Sequence, residues 1–124
     1  MIGYKILSAK QKFFDYKTTT RNDILVATLK IPDEVPIKYF DEYQCHAAAS
    51  KAIPIKIQYL NGEKATEGWS PFGFREFMLH YILNKEIDDT DNYNNYAYGG
   101  INFWTTKEEL ERDIYGQLKD YGWE

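Results

Sequence analysis

The residues best suited to holding a flat ligand lie near the C-terminus, in the sequence YNNYAYGG at positions 93–100. In an extended strand, Tyr96 and Tyr98 would point to one face and Asn95 to the other. Exposed tyrosines in such a strand stack on a base, while asparagine can read the edge of that base. The glycine pair at 99–100 would let a ligand or another backbone segment approach closely. The pattern is typical of a nucleotide-type site with few charges.

A structural role for the same stretch is the alternative, in which the tyrosines fill a core and the glycines turn the chain. Core packing is favoured for Tyr98, whereas a binding role is favoured for the residues nearer the preceding polar run. Arginines and tryptophans elsewhere extend the candidate set by supplying phosphate contacts and stacking faces. The residues predicted to contact a ligand are Arg21, Trp69, Arg75, Tyr93, Asn95, Tyr96, Trp104 and Arg112.

Two members of this set also have simpler explanations. Arg112 follows Glu108 by four residues, a spacing that favours an ion pair on a helix surface. Trp69 precedes Ser70-Pro71, and core packing is the favoured interpretation for its indole. For both residues, a structural role and ligand binding therefore remain alternatives.

Catalysis by a nucleophile would have to use Cys45, with His46 or His80 as the base. Adjacency argues against that chemistry, because Cys–His pairs normally use residues that are distant in sequence. A buried thiol beside an exposed imidazole is the favoured interpretation of positions 45 and 46. We therefore predict that the protein is not an enzyme, with a cysteine-dependent hydrolase kept as an alternative.

The acidic run EIDDTD contains Glu86, Asp88, Asp89 and Asp91, which are close enough in sequence to attract a hard cation. It lacks the glycine and the distal glutamate of an EF-hand loop, so a solvated turn is favoured. One cysteine and two histidines are too few for a structural zinc site without carboxylates. The sequence predicts neither a metal nor a cofactor.

Composition limits the class of partner. The chain has 124 residues, a net charge of −4 and dispersed basic residues, which disfavours duplex nucleic acid. The aromatic content is 17%, with 11 tyrosines, and surplus tyrosine is typical of interfaces and of aromatic-rich cores alike. A single cysteine fits a reducing cytosol, and no apolar run is long enough for a signal peptide or a membrane helix. These features predict a cytoplasmic protein.

Several segments carry strand patterns. A first strand is predicted in GYKILSAKQKFF (3–14), and a buried strand in ILVATLKI (24–31). The following IPDEVPIKYFDEYQ (31–44) is predicted as a loop, and AAASKA (47–52) as one helical turn. Alternation over residues 53–59, followed by Asn61-Gly62, predicts a hairpin with a type I′ turn and a returning strand GEKATEGW (62–69).

The middle and the end of the chain contain helical signals. Residues 70–87 are ambiguous, and we predict a short helix after Ser70-Pro71 that changes to a strand near Tyr81. Ile101 and Phe103 then predict a short strand. Thr106 to Glu109 form a capping box, and an apolar stripe at Leu110, Ile114, Leu118 and Tyr121 indicates a helix that ends at Gly122. Together these elements predict a single α+β domain over residues 1–124, with a mostly antiparallel sheet covered by the C-terminal helix.

The ordered motifs over residues 24–112 resemble a small phage and large-virus domain family of unknown function that often precedes pentapeptide repeats. GINFWTTKEELE (100–111) is similar to the family's Gly-Ile-His-Phe-Phe and Thr-x-Glu-Glu-Ala pattern. QCHAAASKA (44–52) resembles its Cys-Arg-Ala-Ser-Lys-Ala segment. VATLKIP (26–32), IKIQYLNGE (55–63) and YILNKEID (81–88) resemble its strand ending in Ile-Pro, its strand and Asp-Gly turn, and its Tyr-x-Val-Gly-Lys segment.

The chain departs from the family pattern at two positions. The family's histidine corresponds to Asn102, and its upstream cysteine to Ala97, so any metal or catalytic role of those two residues is lost here. No pentapeptide repeats follow in this sequence, and the resemblance therefore implies a small phage or prophage accessory protein. By analogy of class, we expect a counter-defence protein, homo-oligomeric, that sequesters a cyclic nucleotide or cyclic ADP-ribose signal. The alternative is an interaction module that inhibits a host protein.

Overall fold

A computed structural model of the protein describes residues 1–15, 17–71 and 78–122. The described residues form the strands β1 Ile2–Ser8, β2 Ile24–Lys30, β3 Ile37–Tyr39, β4 His46–Ala49, β5 Lys51–Tyr59, β6 Glu67–Trp69, β7 His80–Ile82, β8 Ile87–Asp88 and β9 Ile101–Trp104. They also form the helices α1 Thr90–Asn95 and α2 Lys107–Tyr121, and a 3-10 turn at Arg21–Asp23. The predicted α+β class is confirmed.

The strands pair in the order β3-β4-β9-β1-β2-β5-β8, with β6 beside β1 and β7 beside β6. Each of these pairings is antiparallel, as the sequence predicts. Strand β1 lies at the centre of the order, and its whole length pairs with β2. The apolar run that ends at Pro32 is therefore buried in the middle of the sheet, between β1 and β5.

The other edge of β1 is shared by two strands. Tyr4 pairs with Trp104 of β9, and Ser8 pairs with Trp69 of β6. Between these points, residues 5–7 have no strand partner on this edge among the described residues. The sheet therefore has a gap between the point where β9 pairs with β1 and the point where β6 pairs with β1. The candidate site lies at this gap.

Helix α2 covers one face of the sheet. Leu110, Ile114 and Leu118 pack with Ile6 of β1 and Ile24 of β2, in accordance with the predicted apolar stripe. The side chain of Tyr121 lies outside the described residues. Each fully buried leucine or isoleucine in this layer stabilises the fold by about 1.5–3 kcal/mol relative to an exposed one. This layer fixes the orientation of α2 over β1.

A larger core lies on the opposite face, because neighbouring residues of a strand point to opposite sides. Leu7 belongs to this core whereas Ile6 belongs to the α2 layer. Leu25 and Leu29 of β2 pack in the same core, together with Tyr81 of β7. The core therefore joins the central strands to the β6–β7 hairpin.

Two predictions about the hairpin after β5 need correction. The chain does return beside β5, since Tyr59 N–H donates to Glu63 O at 2.8 Å and Ala65 N–H donates to Ile57 O at 2.9 Å. Gly62 has φ of +92°, but Asn61 lacks the positive φ that a type I′ turn requires. The loop is the three-residue form that ends in a left-handed glycine. The second half of the predicted returning strand leaves β5 and becomes β6 beside β1.

The predicted alternation over residues 53–59 is wrong in the middle of β5. Its pairing with β2 shifts by one residue between Thr28 and Leu29, so that Ile55 is the extra residue of a bulge. Ile55 is 42% exposed, while Pro54 and Ile57 point into the core. The bulge interrupts the two-residue period that the sequence pattern assumes.

Two further predictions between β2 and β5 are wrong. The segment 31–44 is not all loop, because Ile37–Tyr39 forms β3 and pairs with β4. Residues 47–52 are not a helical turn, since Ala47, Ala48 and Ala49 belong to β4 and pair with both β3 and β9. Alanine favours helices locally, but strand pairing on both sides outweighs that weak preference.

The region after β6 agrees only in part with prediction. The predicted helix after Ser70-Pro71 falls on residues 72–77, outside the described residues. The strand near Tyr81 is confirmed as β7, and Asn84 has φ of +63° in the turn that follows. The acidic run is not merely a solvated turn, because Asp89 is 9% exposed and directly precedes α1.

The strand predicted for residues 93–98 is also wrong. Tyr93 and Asn95 belong to α1, and Tyr96 begins the loop that leads to β9. The three-residue spacing of Tyr93 and Tyr96 is typical of a helix, whereas the two-residue spacing of Tyr96 and Tyr98 is typical of a strand. The strand prediction followed the second spacing. Tyr98 is 68% exposed, so the core role favoured for it is wrong.

The C-terminal helix has the predicted ends. Thr106 Oγ1 accepts a hydrogen bond from Glu109 N–H at 3.2 Å, and Gly122 has a left-handed φ of +68°. The Glu109 carboxylate pairs with Arg112 at 3.2 Å, so the ion pair of Arg112 is with Glu109 and not with the predicted Glu108. Neither α1 nor α2, nor any other helix of the described ranges, has the length and apolar character needed to cross a membrane.

Candidate functional site

A cavity of about 350 Å³ opens in the gap between β1 and β9. Residues 4–6 of β1 and residues 102–104 of β9 form two of its sides. Helix α2 closes the third side, and the loop from α1 to β9 closes the fourth. The cavity exists because the two strands pair only at Tyr4 and Trp104 and then separate.

Lys5 is the basic group at the centre of this gap. Its Nζ donates a hydrogen bond to Asn102 O at 2.8 Å, across the space that a strand pairing would otherwise fill. The side chain lines the cavity and keeps some accessible surface, although protein surrounds it. Burial lowers the pKa of the Lys5 amine to about 8, and the carboxylates of Asp113 and Asp89 oppose that effect.

The α2 side of the cavity carries a fixed carboxylate. Asp113 Oδ2 accepts a hydrogen bond from Trp104 Nε1 at 3.2 Å, and Asp113 Oδ1 accepts one from Gln117 Nε2 at 3.2 Å. Asp113 and Gln117 are four residues apart, so both lie on the same face of α2. These bonds connect α2 to β9 and hold an acid beside Lys5.

A second acid enters from the α1 side. Asp89 Oδ1 accepts a hydrogen bond from Asn92 Nδ2 at 2.7 Å. Burial raises the pKa of Asp89, the Asn92 amide and the nearby Gly100 N–H lower it, and Asp88 and Asp91 raise it further. Asp89 is thus a nearly buried acid whose proton is held more tightly than that of an exposed aspartate.

Three residues that line this cavity each carry a buried polar atom without a hydrogen-bond partner in the described part of the chain: Tyr81 OH, Asn102 Oδ1 and Gln117 Oε1. Ser70 approaches the Tyr81 hydroxyl and partly offsets the rise that burial causes in its pKa, but the geometry falls short of a hydrogen bond. A buried polar group without a partner costs about 1–3 kcal/mol. Three such groups in one part of the fold are a local cost to stability.

Three aromatic side chains that line the cavity, those of Trp104, His46 and Tyr98, form a row with Phe40. Trp104 stacks on His46, with ring centroids 4.6 Å apart and an angle of 22° between the ring planes. Phe40 contacts His46 at 5.2 Å and Tyr98 at 5.3 Å, so the four rings form a continuous row. Burial and the charge of Lys5 lower the pKa of His46, while Asp113 and Asp41 raise it. We call Tyr98, Phe40, His46 and Trp104 the aromatic row.

Of the residues that the sequence predicts as ligand contacts, Tyr96 and Trp104 line the cavity. Tyr93 lies behind the α1–β9 loop, where the ammonium of Lys38 is 4.2 Å from its ring centroid. Asn95 Nδ2 donates to Asp91 O at 2.8 Å on the exposed side of α1. The structure therefore brings together two of the four predicted residues in this segment.

The remaining predicted residues do not line this cavity. Arg21 lines a smaller depression with Asn61, on another part of the surface. Trp69 stacks on His80 with ring centroids 4.6 Å apart. Arg112 is exposed on α2 in its pair with Glu109. Arg75 lies outside the described residues. Ligand binding by these four side chains stays a prediction.

The glycine pair at 99–100 allows one backbone segment to approach another. A Cβ atom added to Gly99 would lie 1.9 Å from Asn92 O, and Gly100 has a φ of +105°. This contact holds the loop against α1 and leaves Asn92 positioned to bind Asp89. The prediction of a close backbone approach is confirmed here, with a protein segment as the neighbour.

The alternative of cysteine chemistry depends on the surroundings of Cys45. Cys45 Sγ donates to Tyr43 O at 3.8 Å and lies near the Asp41 carboxylate, whereas His46 stacks on Trp104. Loss of hydration raises the pKa of the Cys45 thiol, and the Asp41 and Glu109 carboxylates raise it further. A raised pKa disfavours the reactive thiolate. His80 is engaged by Glu67 at 3.3 Å.

Sequence reasoning missed most of the cavity. The residues that it did not select are Lys5, Tyr81, Asp89, Asn92, Asn102, Asp113 and Gln117. One signal was present in β1, where a charged Lys5 shares its strand face with the buried Leu7. A second was the spacing of Asp113 and Gln117 along α2. Neither signal identifies a cavity without the position of β9.

Comparison of this chain with protein-family models, curated proteins and solved structures finds no match. The resemblance to the phage and large-virus domain family therefore stays a prediction, and the candidate site depends on its own geometry.

Proposed function

We propose that this protein binds and sequesters a small nucleotide-type molecule without transforming it, and that the cavity between β1 and β9 holds the base or nucleoside part. The observation that carries this proposal is one cavity lined both by aromatic rings and by polar side chains, three of which hold an unpaired polar atom. A stable fold keeps few such atoms, and a rotation of these side chains on binding would bring them to a polar ligand.

The size and the walls of the cavity favour a planar ligand. A volume of about 350 Å³ is at the lower end of the range for small-molecule sites, which suits a base or a nucleoside better than a whole dinucleotide. Tyr96 and Trp104 supply aromatic surface at its edge. The rest of a larger ligand, such as a cyclic nucleotide or cyclic ADP-ribose, would extend out of the cavity towards the exposed Tyr98.

The biological setting comes from the resemblance. We propose a phage or prophage accessory protein that acts in the host cytoplasm as a homo-oligomer and removes a signalling molecule. One point joins the resemblance to the cavity: the family's histidine corresponds to Asn102, which lines the cavity. If relatives use this position for metal binding or catalysis, this chain carries a neutral amide there, in accordance with binding without catalysis.

The test is a thermal-shift screen of the purified chain against bases, nucleosides, nucleotides, cyclic dinucleotides and cyclic ADP-ribose isomers. A ligand at 100 times its Kd stabilises a one-site binder by about 2.7 kcal/mol, which is several degrees for a domain of this size. Tyr81→Phe removes only the unpaired hydroxyl and should weaken binding about 2- to 10-fold. Tyr39→Phe makes the same change at an exposed residue outside the cavity and should leave the affinity unchanged.

Stability provides the second measurement on the same pair of variants. Because the Tyr81 hydroxyl has no partner in the free protein, Tyr81→Phe should keep or raise the free energy of unfolding. A loss of more than 1 kcal/mol in this variant, or a screen with no shift for any ligand, would contradict the proposal.

A protein partner is the second candidate, favoured by the exposure of the aromatic row. Tyr98 is 68% exposed at its end, and exposed tyrosine is enriched in protein interfaces. If the screen is flat and Tyr98→Ser abolishes binding of a host protein to the purified chain, the interaction module is the better explanation. Cys45→Ala separates the hydrolase alternative, because it should abolish an enzyme and leave either kind of binder intact.

A further inference from the structure

The proposed function leaves one nucleophile of the cavity unused, the side-chain amine of Lys5. Lys5 lines the cavity between β1 and β9, and its side chain keeps some accessible surface. Its Nζ donates a hydrogen bond to Asn102 O at 2.8 Å. This bond uses one N–H group, so the lone pair of the neutral amine stays available to attack a ligand.

Burial gives Lys5 a usable share of neutral amine. Loss of hydration lowers the pKa of this amine from 10.5 to about 8, although nearby carboxylates oppose the effect. At pH 7 about one amine in ten is then neutral, compared with roughly one in 3000 for a lysine of ordinary pKa. The neutral amine is the form that attacks a carbonyl carbon.

Acid groups lie beside this amine. Asp113 of α2 and Asp89, which precedes α1, are close enough to Lys5 to act on its charge, and both line the cavity. Asp89 is 9% exposed, and burial raises its pKa, so this carboxyl keeps a proton more readily than an exposed aspartate. A proton donor beside the amine can protonate a hydroxyl group that must leave as water. The cavity therefore holds a nucleophile and an acid together.

We propose that Lys5 captures a small aldehyde in this cavity as a reversible imine. The neutral amine attacks the carbonyl carbon, and one proton moves from nitrogen to oxygen to give a carbinolamine. Asp89 then protonates the hydroxyl, which leaves as water, while the nitrogen lone pair forms the C=N bond of an iminium ion. The iminium has one N–H group, which can keep the bond to Asn102 O. Hydrolysis reverses these steps and releases the aldehyde unchanged.

The ligand class goes beyond the proposed function and does not depend on a nucleotide. A volume of about 350 Å³ limits the aldehyde to a small molecule. Tyr96 and Trp104 line the same cavity and favour a ligand with a flat ring. Benzaldehyde meets both requirements and is therefore the probe.

The test treats the unaltered full chain with benzaldehyde and sodium cyanoborohydride at neutral pH, which reduces an imine to a stable amine. Chymotryptic cleavage after Tyr4 separates the N-terminal amine from Lys5, and mass spectrometry gives the extent of labelling at each site. Lys5 should be labelled about tenfold faster than the exposed Lys30 of β2 and Lys56 of β5. Equal rates at these three lysines would overturn the proposal.

Unfolding and substitution show whether the folded site causes the preference. In guanidinium chloride at unfolding concentrations, Lys5 should lose its advantage, and a preference that persists there would contradict capture in the cavity. Lys5→Arg keeps a positive charge and should abolish the fast labelling, whereas Lys56→Arg should leave it unchanged. Far-UV circular dichroism checks that both variants keep the fold.

A second matched pair tests the acid. Asp89→Asn should slow the labelling of Lys5 about tenfold, even though loss of this carboxylate leaves more of the amine neutral. Asp91→Asn makes the same change at an exposed position of α1 and should have no effect. An unchanged or faster rate in Asp89→Asn would contradict the role of Asp89 as the proton donor.

The outcomes separate this inference from the proposed function. If nucleosides or nucleotides shift the melting temperature and Lys5 shows no preferential labelling, aldehyde capture is wrong while the proposed function stands. If Lys5 is labelled preferentially and the nucleotide screen is flat, aldehyde capture is supported and the proposed function is wrong.

Discussion

At the residue scale, Lys5 places a titratable amine in the cavity. An amine in the gap of a sheet must either pair with an acid or lose its proton, and Lys5 has both Asp113 and Asp89 nearby. The net result is a pKa of about 8, with burial as the larger effect. Lys5 therefore loses its proton at a lower pH than a lysine with the ordinary pKa of 10.5.

The lowered pKa of Lys5 predicts how stability depends on pH. The unfolded chain keeps this proton up to about pH 10.5, whereas the folded chain releases it near pH 8. Between these values the unfolded state binds more protons, so stability should rise with pH. We expect a gain of about 1 kcal/mol between pH 7.5 and 9.5, reduced from the full linkage value because Lys5 is partly solvated.

Urea unfolding at pH 7.5, 8.5 and 9.5 measures this gain, and Lys5→Met is the matched variant. The titratable side chains near Lys5 are those of His46, Asp89, Asp113 and Tyr81. Burial raises the pKa of Tyr81, which moves its titration further above this pH range. The gain should be absent in Lys5→Met. If wild type and variant show the same pH dependence, Lys5 does not titrate in this window.

At the scale of elements, the closeness of β1 to β9 depends on Gly3. A Cβ atom at Gly3 would lie 2.4 Å from Phe103 Cδ2, and Phe103 is 1% exposed, so its ring has little room to move. Gly3→Ala should therefore lower the free energy of unfolding by about 1–3 kcal/mol through overpacking. Since Phe103 lines the cavity, the same change should weaken ligand binding.

Gly116→Ala is the control for that substitution. No atom lies within 4 Å of a Cβ at Gly116 in α2, so alanine there should stabilise the helix by about 0.5–1 kcal/mol. Chemical unfolding of both variants gives the comparison. Equal stabilities for Gly3→Ala and wild type would show that Phe103 can shift, and that the strand contact is looser than the distance indicates.

At the scale of the whole molecule, exposed tyrosine predicts self-association. Tyr43, Tyr98 and Tyr115 are each more than 60% exposed, and Tyr98 continues into the aromatic row. We expect a mass above the 14.6 kDa of one chain in light scattering coupled to size exclusion. Tyr98→Ser should shift that mass towards one chain, whereas Tyr115→Ser, on the outer face of α2, should not. A wild-type mass of 14.6 kDa at micromolar concentration would contradict the expectation.

Local patterns in the sequence determined the elements whose signals are complete within a few residues. The apolar run of β2, the short alternation of β9, and the cap, stripe and terminal glycine of α2 each need only neighbouring residues. Prediction failed where a distant partner outweighed a local preference. The alanines of β4 became a strand because β9 and β3 lie on either side.

Only the tertiary structure decided the cavity. Lys5, Asp89 and Gln117 come from β1, from the start of α1 and from α2, and the nearest two of them are 28 residues apart in sequence. Their meeting depends on where β9 leaves the edge of β1, which is set by the pairing of Tyr4 with Trp104 and of Ser8 with Trp69. Strand pairing between distant segments has no local periodicity, so the chain specifies this gap only through the complete packing of the sheet and α2.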